Sequence, residues 1–171
     1  GNKSFHVLGE FNDFFGGYYE AEDYGFGHWS RYEEMPGQKL WLWALSRQGG
    51  IWDDLLTDTD GQYVEFQAGR LLVQYSRGEH VNPITEADFD PMSASQWTET
   101  WFPLEGTGGL SDASRDGALH VSRDASRATI SVNAFTTMSD TLEIWSGDRL
   151  VSSELVELDP LGLFTTSVDL D

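Results

Sequence analysis

Gly61-Gln62-Tyr63-Val64-Glu65-Phe66-Gln67-Ala68-Gly69-Arg70 alternates in the way a strand does when one face meets a core and the other does not. Val64, Phe66 and Ala68 fall on one side, Tyr63, Glu65 and Gln67 on the other. An aromatic ring, a carboxylate and an amide at i, i+2 and i+4 offer a stacking plane, a proton acceptor and a two-way hydrogen-bonding group, a set that suits a polyhydroxylated ring. The same pattern also fits an ordinary antiparallel strand with a solvated polar face.

Beyond this stretch, the chain reads as strands throughout. Residues 4–11 alternate with a break at Gly9, and residues 39–45 are nearly all apolar, with Trp41 and Trp43 opposed to Leu40 and Leu42, so a central strand covered on both faces is expected there. Residues 96–102 place Trp97, Glu99 and Trp101 on one face, and Pro103 is expected to end that strand. Short alternating segments follow at 118–122, 128–135, 141–145, 150–158 and 164–170, separated by turn residues such as Asp124-Ala125-Ser126 and Ser146-Gly147-Asp148. No segment shows sustained helical periodicity with caps. The fold class expected is all-β.

Composition divides the chain. Of the 7 Trp, 6 Tyr and 10 Phe, all but Trp145, Phe135 and Phe164 precede the run Gly106-Thr107-Gly108-Gly109. The glycines are therefore the expected boundary, with residues 1–105 forming one part and 106–171 a small immunoglobulin-like sandwich with a core of its own.

A net charge of −19, from 29 acidic against 10 basic residues, repels phosphate backbones and anionic bilayers, so neither nucleic acid nor a membrane is expected as a partner. No Cys is present, which excludes disulfides and thiolate zinc sites. His6, His80 and His120 lie on different segments without ligand-like spacing, so no metal is expected, and no motif calls for a cofactor. Asp58-Thr59-Asp60-Gly61 has the look of a calcium loop, but Gly69 stands where its last acidic ligand is needed, and a turn is the reading.

The block running from Asp13-Phe14-Phe15-Gly16-Gly17-Tyr18-Tyr19 through Gly27-His28-Trp29, Lys39-Leu40-Trp41-Leu42-Trp43 and Tyr63-Val64-Glu65 to Trp101-Phe102-Pro103 resembles an uncharacterised bacterial family whose members look like galactose mutarotases. The resemblance covers about residues 5–104. It implies the C-terminal half of an antiparallel β-supersandwich, a carbohydrate ligand, and a sugar-processing activity of the hydrolase or epimerase kind. It also implies that Glu65 matches the glutamate that takes the anomeric proton, while the matching acid histidine lies before Gly1. The missing N-terminal half of the fold, or another copy of the chain, is then an expected partner. A non-catalytic carbohydrate-binding or structural accessory module is the alternative.

Three further residues, His28, Arg47 and Trp52, join Glu65, Tyr63 and Gln67 as pocket candidates, and four acids as possible second carboxylates. His28 is able to hydrogen-bond a sugar hydroxyl or titrate near neutral pH. Arg47 and Trp52 sit in Ser46-Arg47-Gln48-Gly49-Gly50-Ile51-Trp52, where glycines let a ligand approach the backbone. Glu33, Glu34, Asp53 and Asp54 are the possible second carboxylates that hydrolysis would need; in so acidic a chain each is equally a solvated side chain.

Overall fold

A computed structural model describes residues 3–43, 47–58, 61–73 and 90–170. Twelve strands, all paired antiparallel, and one six-residue helix make up its regular structure, arranged in several sheets with no barrel, so the molecule is all-β. His80, Thr59, Asp60 and Ser46 fall outside the described residues. The chain divides into two compact units: residues 1–12 with 31–98, and residues 13–30 with 99–171.

The first unit holds strands β1 (Lys3–His6), β4 (Lys39–Leu42) and β5 (Val64–Gln67) in the order β1-β4-β5. β4 is central, as its apolar run predicts. The helix α1 (Ile51–Leu56) was not expected, because six residues are too few to display a helical period. It starts from Gly50, carries Asp53 and Asp54 in its first turn, where the helix dipole favours acids, and closes on Thr57, whose hydroxyl lies 2.6 Å from the Asp53 carbonyl.

The second unit begins with a sheet of β2 (Phe14–Tyr19), β3 (Tyr24–Trp29) and β6 (Thr100–Glu105), in the order β2-β3-β6. Here the expectation for Pro103 is corrected: β6 runs through it to Glu105. Pro103 stands opposite Phe26 on a strand that ends its sheet, and Gly106 donates to Asp23 at 3.0 Å three residues on. Counting back along the antiparallel alternation, the Pro103–Phe26 pair is one that exchanges no hydrogen bonds, so the donor that proline lacks was never required.

The rest of this unit is a four-stranded sheet, in order β12 (Leu163–Asp169), β9 (Arg127–Ala134), β8 (Gly117–Arg123) and β7 (Asp112–Ala113), together with the hairpin β10 (Met138–Ser146) and β11 (Arg149–Leu158). Turn chemistry places these strands. Gly147 takes a φ of 58° between β10 and β11, and Asp124 accepts from the amides of Ser126 and Arg127, each at 2.8 Å, between β8 and β9. Ala128, Ile130 and Val168 form an apolar cluster against which Leu142 and Ile144 of β10 and Val151 of β11 pack, giving a small two-layer sandwich.

The expected division into residues 1–105 and 106–171, each with its own core, differs from this packing. Phe102 and Leu104 of β6 share a cluster with Ala118 of β8, and the Phe102 and Phe135 rings stack 4.2 Å apart. The glycines mark where aromatic content drops, but β6 leaves half its side chains on the far side of them. Leu161, in the turn between β11 and β12, has a φ of 66°, a conformation that costs a residue bearing a Cβ about 1 kcal/mol.

Candidate functional site

The register of the first sheet brings the site together. Ser4 stands opposite Trp41 and Trp41 opposite Glu65; His6 stands opposite Lys39 and Lys39 opposite Gln67. Residues directly opposite in antiparallel strands share a face, so Ser4, His6, Lys39, Trp41, Glu65 and Gln67 lie on one side and Phe5, Leu40, Leu42, Val64 and Phe66 on the other. The alternation read from the sequence for Tyr63 to Gln67 agrees with this arrangement.

On the polar face the Glu65 carboxylate is held by neutral donors. Trp43 Nε1 donates to Glu65 Oε2 at 2.8 Å, Gln67 Nε2 donates to Glu65 Oε1, and Trp41 Nε1 donates to Gln67 Oε1 at 3.0 Å. Burial, followed by the negative charge of Glu65 and a hydrogen bond to it, pushes the Tyr63 phenol above its ordinary value. No cation pairs with Glu65 among the described residues. The Trp41 and Trp43 rings run nearly parallel, 13° apart with centroids at 5.8 Å, and Trp52 of α1 meets Trp43 edge-on at 6.4 Å. An aromatic strip thus lies beside an oriented carboxylate with acceptor capacity left, since two oxygens offer about four lone-pair sites.

Two residues that the sequence did not point to share this face. Lys39 is 3% exposed, donates from Nζ to the carbonyls of Gly37 at 2.9 Å and Leu71 at 2.7 Å, and has its pKa pulled down by burial. Gly37 is required for that arrangement, because a Cβ there would lie 2.0 Å from the Leu71 carbonyl. His6 meets the Trp41 ring edge at 5.7 Å; burial and then the Lys39 charge hold its pKa below 6.5, and its Nε2 is buried without a partner among the described residues. The signal for His6 was present as a strand position, but only the pairing of residues 33 apart in sequence places it beside Lys39.

The remaining candidates fall elsewhere. Arg47 is exposed in the turn before α1. Glu34 accepts from the Thr98 amide at 3.2 Å, and the Asp53 carboxylate faces the Thr57 hydroxyl at 3.1 Å, so both have local structural partners. His28 belongs to the second unit, where it is 1% exposed. Its Nε2 donates to Glu99 at 3.0 Å, and its ring lies 5.3 Å from Phe15 and 4.6 Å from Trp101. Burial lowers its pKa more than Glu99 raises it, and Nδ1 is buried without a partner. Among the described residues no three His, Cys, Asp or Glu side chains converge to hold a metal ion.

The chain belongs to the family described as Domain of unknown function (DUF5107), which matches residues 1–104. That segment contains all of the first unit together with the strands β2, β3 and most of β6. No solved structure matches the chain.

Proposed function

We propose that this member of a family of unknown function is a carbohydrate-processing domain, a relative of glycoside hydrolases or aldose epimerases, that takes a sugar on the Trp41, Trp43 and Tyr63 face with Glu65 as the acceptor of a hydroxyl proton. The observation that carries the reading is the Glu65 network. Its carboxylate is aimed by Trp43 and Gln67, with no cation paired to it among the described residues, beside two near-parallel indoles of the kind on which a pyranose face stacks. Gln67 then serves as a second contact to vicinal hydroxyls. Galactose-mutarotase-like chemistry is the finer version of this proposal, in which proton removal by Glu65 opens the ring.

His6 is the acid partner that this unit offers. Two strand spacings and two residues separate it from Glu65, about 12 Å between Cα positions, a span that two side chains and one sugar ring fill. The resemblance further calls for a second sheet layer, from the remainder of the fold or from another copy, against the apolar face where Phe5 is 51% and Val64 39% exposed.

The test is a titration of D-galactose, D-glucose and L-arabinose followed by tryptophan fluorescence, alongside an anomerisation assay. Glu65→Gln keeps the shape and removes the charge. Expected is a fall in turnover on the order of 10² with binding largely kept. Binding without turnover in the native chain moves the reading to a non-catalytic carbohydrate-binding module. Absence of both, with Trp41→Ala silent, removes it.

A further inference from the structure

We infer that the second unit carries a separate binding cleft for an extended, uncharged oligosaccharide, formed where the turn between β11 and β12 faces the ends of β3 and β6. Two cavities, of about 810 and 410 Å³, have Asp23 and Gly106 in common and so adjoin. Each is of the size that small-molecule sites take, about 300–1,000 Å³.

Two of the four described non-glycine residues with positive φ meet here. Asp23 has a φ of 55° and Leu161 a φ of 66°, and both line the larger cavity. Asp23 is compensated: its carboxylate accepts from the Tyr18 hydroxyl at 2.6 Å and its carbonyl from the Gly106 amide. Leu161 is not compensated by its side chain, which is 63% exposed and contributes little to any core. Glycine at that position would relieve the strain, and an exposed leucine gains nothing from water. Its side chain makes physical sense as a wall of an occupied cleft.

The two cavities differ in chemistry in a complementary way. The larger presents apolar surface from Tyr24, Pro103, Leu161 and Leu163 beside the carboxylates of Glu22 and Glu105, and Tyr24 pairs with Tyr19 at 5.1 Å in a two-ring platform. The smaller is lined by Ser122, Thr129, Ser131, Thr165 and His120; Thr165 donates to Ser131 at 3.2 Å and Thr129 bonds Ser167 at 2.9 Å, and each hydroxyl oxygen keeps a further acceptor position. Among the described residues no Lys or Arg lines either one. Carboxylates only accept, while hydroxyls both donate and accept. A sugar chain meets both requirements and stacks its C–H faces on tyrosine. A basic peptide pairs its cations with Glu22 and Glu105 but sets charge against the apolar surface of Pro103, Leu161 and Leu163, and an anionic glycan is repelled by the same carboxylates.

Calorimetry of the full chain with maltohexaose, cellohexaose, xylohexaose, an oligogalacturonate and polylysine tests the assignment. At least one neutral hexasaccharide is expected to bind, and the anionic one not. Tyr24→Ala is expected to weaken that binding about tenfold, from loss of the ring contact. Leu161→Gly is expected to weaken it too while leaving the melting temperature unchanged or higher, which separates a ligand wall from a structural residue. Trp41→Ala, which removes the stacking ring of the first unit's face, is expected to leave it unaltered, which separates this cleft from that face. Failure of all three neutral chains to bind, preference for polylysine, or binding indifferent to both Tyr24→Ala and Leu161→Gly overturns the proposal.

Discussion

In the unit built on β1, β4 and β5, the described side chains withdrawn from water are Gln38 and Lys39, with Met35 as the apolar one; in the unit built on β2, β3 and β6 they include Phe102, Leu104, Ile130, Val156 and Val168. One sheet is knit by hydrogen bonds and ring contacts around a carboxylate, and the other is pressed onto hydrocarbon. Apolar burial contributes more per residue than a hydrogen bond already exchanged with water. The comparison teaches where each unit has room for chemistry: the first keeps oriented polar groups near its surface, whereas the second commits a face of its first sheet to packing.

The largest effect that sharpens this contrast is in the second unit. Leu104, 1% exposed, replaced by Ala is expected to cost about 2–5 kcal/mol, read by denaturant unfolding and by faster amide exchange in β3, β6 and β8. Trp41→Ala, which removes a half-buried ring and its bond to Gln67, is expected to cost less than Leu104→Ala while abolishing most monosaccharide binding at the Glu65 face. Equal stability losses from the two would break the comparison.

A smaller effect is expected from Lys39→Met. It strips the carbonyls of Gly37 and Leu71 of a charged donor but also lifts the desolvation of a buried ammonium, so the net change should stay within about 2 kcal/mol. Its clearer readout is His6. Removing the positive charge that depresses it should raise its pKa, followed by imidazole NMR; an unchanged value would mean that burial alone sets it.

The smallest effect is in pH dependence. His6 and His28 both have pKa values below 6.5 in the folded protein, so between those values and 6.5 the unfolded chain binds more protons. The stability they contribute is present above pH 6.5 and is lost as pH falls through the folded values. Thermal melts from pH 7.5 to 5 should show that decline, and His6→Gln should make it shallower.

Much of the second unit was legible in the sequence because its strands are joined by short turns whose residues announce themselves, as at Asp124 and Gly147. Pro103 misled because a missing donor matters only on the side facing a neighbour, and which side that is depends on pairing. The short helix under Trp52 lay below the length at which period is visible. For the site, Tyr63, Glu65 and Gln67 were readable as a local alternation. Trp43, Lys39 and His6 were not, because their proximity depends on register between strands some 20 to 35 residues apart in the chain, about which local pattern carries no information.

Pro103 has a bearing beyond its own strand. β6 ends its sheet among the described strands, and an end strand with a full set of outward amides is a template on which a neighbouring molecule can add a strand. The proline removes one outward donor from the middle of that row. A chain with so many exposed rings is thereby made a poorer seed for sheet-to-sheet growth, and the residue that looked like an ending to the strand serves instead as a brake on self-assembly.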